Sequence, residues 1–127
     1  AEETTAPALR SHGALANEWS ERTGRDIRFL VYEGGQHLSA HGDENHPCLE
    51  AFYEAQTDPR MRDAYRIALE AFHDAGGDLY MAFASVHNNT KYGSWGHLLY
   101  QEQSLEEAVK YTTLLDAIDG SLFENDK

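Results

Sequence analysis

The sequence is poor in basic charge and in cysteine, and it has no long apolar run. Ten Lys and Arg residues against 22 Asp and Glu leave a net charge of −12, so a phosphate backbone would be repelled and we expect no nucleic-acid partner. No apolar stretch approaches the roughly 18 residues of a membrane span, so we expect no membrane partner either. The lone Cys48 excludes an internal disulfide, and its place after Pro47, before an apolar run, predicts a buried, inert thiol.

The composition is that of a single folded domain. The chain has 127 residues, of which 41% are hydrophobic and 11% aromatic. One core can be built from that content, and we expect one unit over residues 1–127.

Four segments have sequence signals of helices. Apolar spacing from Ala8 through Trp19 predicts an amphipathic helix that ends at Gly24, with Trp19 in the core. Pro47 predicts the start of a short helix over residues 47–55. A third helix should begin at Asp58-Pro59 and end at residues 76–77. Its predicted buried stripe consists of Met61, Ala64, Tyr65, Ala68, Leu69, Phe72 and Ala75.

The fourth helix is predicted at the end of the chain. The residues Ser-Leu-Glu-Glu at 104–107 have the pattern of a capping box, so the helix should begin there and end at Gly120. The residues from 121 to 127 are expected to form a tail.

Two short apolar runs predict parallel strands. Residues 27–32 and 79–84 are continuous rather than alternating, which is typical of strands covered on both faces. A strand, a helix and a strand in that order predict a right-handed βαβ unit in an α/β fold. The carboxyl ends of both strands should therefore lie at the same edge.

Reactive side chains follow each predicted strand. Glu33 follows the first strand and precedes two glycines, which we expect to let backbone or ligand approach closely. His87 and Asn88 follow the second strand, as polar contacts or as ordinary turn residues. Trp95 is flanked by Ser94 and Gly96, so its ring face is either open for stacking on a sugar or packed in the core.

The residues around Glu33 have two interpretations each. Tyr32 can hydrogen-bond Glu33 or simply pack at the strand end. The amide of Gln36 and the ring of His37 can bind sugar hydroxyls or order the loop.

Five motifs in order along the chain support a family resemblance. They are Tyr-Glu-Gly-Gly-Gln-His-Leu at 32–38, Asp-Pro-Arg-Met at 58–61, Gly-Gly-Asp-Leu at 76–79, Tyr-Gly-Ser-Trp-Gly at 92–96 and Lys-Tyr at 110–111. Together they resemble the carboxyl-terminal part of secreted bacterial (β/α)8-barrel proteins related to clan-A glycoside hydrolases. The resemblance covers about residues 15–118.

The resemblance implies a fold, a reaction and a location. It makes residues 27–32 strand seven and residues 79–84 strand eight of a barrel, within the order helix–β7–α7–β8–α8. It implies that Glu33 is the nucleophile of a retaining hydrolase, that Trp95 floors a sugar subsite, that no cofactor is needed, and that the protein is secreted or periplasmic. The acid/base Glu of these enzymes follows strand four, and this chain has nothing that corresponds to strands one to six.

The length of the chain independently predicts only part of a barrel. A complete barrel takes about 250 residues and eight strand–helix units, whereas this chain offers two units and a leading helix. We therefore expect a piece of a larger barrel, with its missing part or a second copy as partner. A compact stand-alone α/β domain and an assembly of copies that completes the sheet remain the alternatives.

Two functions compete with hydrolysis. A non-catalytic carbohydrate-binding domain would use the same aromatic and amide groups without an acid/base residue. A metal site would use His37, His41, Asp43, Glu44 and His46. Gly42 and the polar loop around it argue against the helix that would bring His37 and His41 to one face, so we predict no metal.

Overall fold

The computed structural model describes residues 1–123 and arranges five helical segments around two strands. In chain order they are α1 (Thr5–Thr23), β1 (Leu30–Gly34), α2 (Leu49–Glu54), α3 (Pro59–Asp74), β2 (Leu79–Ala82), α4 (Val109–Asp119) and a 3-10 turn (Ser121–Phe123). The end of the predicted tail, residues 124–127, lies outside the described residues. None of the helices in residues 1–123 has the length and apolar character needed to cross a bilayer.

The two strands pair in parallel, as predicted. Leu30 lies opposite Leu79 and Val31 opposite Tyr80, and the register becomes irregular before Gly34 meets Ala82. α3 connects the two strands, so the β–α–β order is confirmed and the chain is an α/β protein.

The α3 helix is the best-predicted element. The Asp58 carboxylate accepts the backbone N–H of Arg60 at 2.8 Å, and Pro59 occupies the first helical position. Four residues of the predicted stripe are buried: Met61, Tyr65, Leu69 and Phe72. α3 also contacts both α1 and α4.

The prediction that both sheet faces are covered is wrong. Phe72 of α3 packs edge-on against Tyr80, with ring centroids 5.4 Å apart, so one face is covered by helices. On the opposite face Leu30 is 45% exposed, Tyr32 78% and Leu79 46%. A continuous apolar run indicates that both faces of a strand are apolar. It does not indicate whether other elements cover both faces.

The end of α1 is confirmed, but its predicted core is wrong. Gly24 ends the helix in the left-handed conformation, with φ of 65°. Trp19 is 46% exposed, and the helix instead buries Ala6 and Gly13. A Cβ on Gly13 would lie 2.3 Å from the carbonyl oxygen of Ala75, so α1 approaches the end of α3 through small residues rather than through its large ones.

The remaining differences concern the ends of elements. α4 begins at Val109, because residues 104–107 form a turn in which Ser104 accepts the N–H of Glu107. Its predicted end at Gly120 is confirmed. α2 is shorter than predicted, and Cys48 just before it is exposed rather than buried.

Candidate functional site

The carboxyl ends of the two strands meet at Glu33 and Gly34. The backbone N–H of Phe83, just after β2, donates to the carbonyl of Gly34 at 2.9 Å. Glu33 is exposed and has a φ of 58°, a left-handed conformation that is uncommon outside glycine. The backbone at Glu33 therefore departs from regular strand geometry, next to the hydrogen bond that joins Gly34 to Phe83.

The glycines after Glu33 make room for protein rather than for a ligand. A Cβ on Gly34 would lie 2.3 Å from the ring of Tyr80. A Cβ on Gly35 would lie 3.1 Å from the carbonyl of Phe83 and 3.2 Å from the hydroxyl of Tyr65. The expected close approach is present, and backbone and core side chains occupy it.

The loop after β2 doubles back and returns Trp95 to the strand end. The N–H of Ala84 donates to the carbonyl of Trp95 at 2.9 Å, and the N–H of His97 donates to the carbonyl of Ala84 at 2.8 Å. Gly96 permits this contact, since a Cβ there would lie 2.4 Å from the backbone of His87. The loop therefore holds Trp95 beside the segment that follows β2.

His37 and Trp95 form a hydrogen-bonded stack that we call the imidazole–indole pair. The indole Nε1–H of Trp95 donates to Nδ1 of His37 at 3.0 Å, and the two ring planes are 24° apart with centroids 5.8 Å apart. His87 and Phe83 lie near the same indole, with centroid distances of 5.5 and 6.1 Å. Three of the predicted site residues, His37, His87 and Trp95, are thus brought together.

The hydrogen bond fixes the protonation of His37. An indole N–H can only donate, so Nδ1 of His37 must be the unprotonated nitrogen. The neutral ring then carries its proton on Nε2, where it is a donor for another group. The pair presents an aromatic face and an N–H donor side by side.

Gln36 is engaged by the protein on both ends of its amide. Its Nε2 donates to Oε1 of Gln56 at 3.0 Å and to the carbonyl of Ser94 at 2.6 Å. Its Oε1 accepts the N–H of Leu38 at 2.7 Å. These contacts favour the loop-ordering interpretation of Gln36 over direct sugar binding.

Lys110 of α4 joins the same contacts, and sequence reasoning missed it. Its Nζ donates to Oε1 of Gln56 at 2.7 Å and to the carbonyl of Ser94 at 3.2 Å. The residue is only 2% exposed, and burial lowers the pKa of its amine to about 8. We call Gln36, Gln56, Ser94 and Lys110 the amide–amine cluster. The one signal in the sequence was the Lys-Tyr motif at 110–111, to which no role was assigned.

Two buried titratable side chains lie next to this cluster. The Tyr65 hydroxyl accepts the N–H of Gln36 at 3.3 Å, and burial raises its pKa to about 12. His97 packs edge-on against Tyr65, with centroids 5.6 Å apart, and its Nδ1 lies 2.7 Å from the carbonyl of Ala84. Burial lowers the pKa of His97, the hydrogen bond to Ala84 opposes that shift, and the charge of Lys110 adds to it. His97 is therefore held as a neutral ring.

The other two predicted site residues are exposed. Tyr32 stands on the open sheet face and Asn88 is exposed in the loop after β2. Their predicted roles stay predictions.

An apolar groove opens beside the strand end. It has a volume of about 570 Å³, and Glu33 and His37 lie at it together with side chains of α1 and α3. The apolar lining includes Leu9, Val31, Leu38, Met61, Tyr65 and Tyr80. The groove therefore extends from Glu33 and His37 to α1 and α3.

Asp43 and Glu44, two of the candidate metal ligands, already have partners in the protein. Glu44 pairs with Lys91, and this hydrogen bond lowers the pKa of the carboxyl. Asp43 accepts the N–H of Asn45 at 2.9 Å. Across residues 1–123 no group of three or more His, Cys, Asp or Glu side chains is arranged to hold a metal ion.

The site is therefore defined by its own geometry: an exposed carboxylate, an indole and two imidazoles near the joined ends of parallel strands. Comparisons of this chain with protein-family models, with curated proteins and with solved structures gave no match.

Proposed function

We propose that this chain is part of a carbohydrate-active (β/α)8 barrel in which Glu33 is the nucleophile and Trp95 floors a sugar subsite. The observation that carries the proposal is the meeting of the two strand ends. Parallel strands joined between Phe83 and Gly34 bring Glu33 and the imidazole–indole pair to one edge of the sheet. Ligand sites of α/β barrels lie at this end of the strands.

The open sheet face supports the larger barrel. Leu30, Tyr32 and Leu79 are exposed on the face that points away from α3. In a closed barrel, side chains on that face pack against those of the other strands. Further strands of the same sheet would remove this apolar surface from water.

The proposed chemistry needs a second carboxyl group. The Glu33 carboxylate attacks the anomeric carbon, while a carboxylic acid roughly 5 Å away protonates the departing glycosidic oxygen. The C–O bond to the leaving group breaks as the bond to Glu33 forms. Water then attacks the glycosyl ester and gives its proton to the second carboxylate, which releases the sugar and restores Glu33. The second carboxyl belongs to another strand of the proposed barrel.

The imidazole–indole pair supplies the sugar contacts. The Trp95 face offers an apolar surface for pyranose C–H groups, and Nε2–H of His37 offers a donor for a hydroxyl oxygen. His87 lies near the same indole, with ring centroids 5.5 Å apart. A ring-shaped, hydroxyl-rich ligand suits this combination.

Glu33→Gln in the full-length protein that carries this chain tests the catalytic proposal. We expect turnover of 4-nitrophenyl glycosides to fall by about a thousandfold or more, because the amide cannot attack, while sugar affinity changes little. Glu50→Gln on the exposed start of α2 is the matched control and should retain turnover. Unchanged turnover in Glu33→Gln excludes Glu33 as the nucleophile.

A non-catalytic carbohydrate-binding domain is the second candidate. The observation in its favour is that the imidazole–indole pair is assembled entirely by groups of this chain. Affinity electrophoresis in gels that contain soluble β-glucan, xylan or mannan separates the two candidates. Retardation by one of these polymers that Trp95→Ala abolishes, without glycoside turnover by the full-length protein, supports this candidate.

The two tryptophans of the chain provide the control for that experiment. Trp19→Ala removes an equally large, exposed indole from the outer surface of α1. Retardation should survive Trp19→Ala. Equal loss in both variants contradicts a specific sugar subsite at Trp95.

A further inference from the structure

We propose that Lys110 is a positioning residue for the imidazole–indole pair. Its buried amine binds the segment that leads into Trp95 directly, through the Ser94 carbonyl, and reaches the segment that leads into His37 through Gln56. The amine touches neither ring, so its effect passes through the amide–amine cluster. Describing the pair as a sugar subsite rests on the function proposed above, whereas the mechanical role of Lys110 does not.

The cluster lies one residue before each member of the pair. Gln36 precedes His37, and Ser94 precedes Trp95. The Ser94 carbonyl accepts from Gln36 at 2.6 Å and from Lys110 at 3.2 Å. The two segments are thus pinned to each other directly upstream of the rings they present.

Gln56 is the second shared acceptor. Its Oε1 accepts from Gln36 at 3.0 Å and from Lys110 at 2.7 Å, and its own Nε2 donates to the carbonyl of Phe52 at 2.7 Å. The Phe52 contact ties the cluster to α2. Lys110 therefore links α4 directly to the Ser94 segment. Through Gln56 it is also linked to the Gln36 segment and to α2.

The burial of this amine makes the arrangement sensitive to its loss. A charged group out of water is costly unless it is hydrogen-bonded, and each deleted member leaves buried partners with fewer contacts. Gln56 and Lys110 are each only 2% exposed. Removing the amine leaves the Gln36 amide as the one remaining cluster donor to both shared acceptors, so we expect the Ser94 segment to be held less firmly.

Other titratable groups face the amine from neighbouring elements. His97 lies in the segment that returns from the loop. Burial lowers the pKa of His97, and the charge of Lys110 lowers it further. Tyr65 of α3 contacts His97 and the backbone of Gln36. Both are neutral around pH 8, the value to which burial lowers the pKa of Lys110. A change near that pH that disappears in Lys110→Met therefore reports the amine.

Trp95 fluorescence tests the proposal directly. In a Trp19→Phe background Trp95 is the single tryptophan, so emission and acrylamide quenching report its surroundings. We expect Lys110→Met to raise the quenching constant of Trp95 at least twofold and to remove an emission change centred near pH 8. Lys91→Met, which removes the ammonium paired with Glu44, is the matched control and should do neither.

The outcomes separate the inference from the proposed function. A folded Lys110→Met variant with the parent's quenching constant and pH profile overturns the positioning role. If Lys110→Met does not fold, Gln56→Glu replaces it. Its carboxylate loses the donor to the Phe52 carbonyl but keeps both acceptor contacts and favours the charged amine. The emission change should then move to higher pH, and an unmoved change overturns the role. Polymer retardation of the parent chain decides the carbohydrate function separately.

Discussion

The indole N–H of Trp95 donates to Nδ1 of His37 across 58 residues of sequence, at 3.0 Å. This contact connects the end of β1 to the loop after β2. The contact needs an acceptor at Nδ1, because an indole N–H can only donate. Removing the imidazole should therefore release the indole from this position.

His37→Ala should change Trp95 emission, because it removes the acceptor of the indole N–H. In the Trp19→Phe background we expect a shifted emission maximum and a higher acrylamide quenching constant than in the parent. Steady-state fluorescence measures both.

His73→Ala is the control for this substitution. His73 is an exposed histidine near the end of α3, where it stacks on Phe123 with centroids 4.2 Å apart. His73→Ala should leave Trp95 emission unchanged. Unchanged emission in His37→Ala, together with a change in His87→Ala, would assign the surroundings of the indole to His87 instead.

Gly13→Ala should destabilise the fold. Helix propensity alone predicts the opposite, a gain in stability. Alanine is better than glycine in a helix interior by about 1 kcal/mol. At this position, however, a Cβ would lie 2.3 Å from the Ala75 carbonyl oxygen and 2.7 Å from the Ala75 Cβ. We expect the free energy of unfolding to fall by about 1 to 3 kcal/mol, the range of overpacking. Urea unfolding followed by circular dichroism measures it.

Asn17→Ala on the exposed face of the same helix is the matched substitution. It should stabilise by about 0.5 kcal/mol through propensity alone. Equal gains in both variants would show that α1 does not approach α3 as closely as the structure has it.

The sequence predicted the elements whose signals are local. Asp58-Pro59 and the apolar stripe specify α3 without reference to the rest of the chain, because a cap and a helical period act over a few residues. The parallel pairing followed from the order of elements and a connection rule. These predictions needed no knowledge of which residues meet in space.

The predictions that failed depended on long-range packing. Trp19 has helical spacing, yet α1 approaches α3 through Gly13, so the small residue is buried and the large one is exposed. The run in β1 has two apolar faces, but helices cover one of them. Burial depends on which partners are present, and neither pattern contains that information.

The candidate site was half predictable for the same reason. The strand ends located Glu33, His37, His87 and Trp95 at one edge. The burial of Lys110 was not visible in the sequence, since a lysine is ordinarily exposed. Only the tertiary contacts of Gln56 and Ser94 explain its position.

Asp58→Ala should weaken the start of α3. The carboxylate accepts the Arg60 N–H and pairs with its side chain, and these hydrogen bonds lower the pKa of Asp58 to about 2. Loss of an N-terminal cap leaves the first backbone N–H groups of the helix without this acceptor, and the lower midpoint of thermal unfolding detects it. Because the folded pKa is lowered from 3.8, the contribution of the cap is present above pH 4 and is lost as pH falls toward 2.

Asp58→Asn separates the cap from the charge. Asparagine caps helices about as well as aspartate, so Asp58→Asn should retain most of the stability at pH 7 and lose its dependence on acid. A loss as large as that of Asp58→Ala would mean that the pairing with Arg60, rather than the cap, stabilises this turn.

The free energy of unfolding should rise between pH 8 and pH 10 and fall above it. Burial lowers the pKa of Lys110 from 10.5 to about 8, so in this window the unfolded chain binds the additional proton and stability increases with pH. Burial also raises the pKa of Tyr65 from 10.0 to about 12 and raises that of Tyr80. Above pH 10 the folded chain therefore retains protons that the unfolded chain has lost, and stability decreases.

Urea unfolding at pH 7.5, 9 and 10 measures the rise, which we expect to be about 2 kcal/mol at 1.36 kcal/mol for each pKa unit. Lys110→Met should abolish it, because the titrating amine is gone. Lys91→Met should retain it, since hydrogen bonding to Glu44 raises the pKa of Lys91 and shifts its proton linkage in the opposite direction. Parallel increases in the parent and in Lys110→Met would show that a group other than the buried amine controls stability in this range.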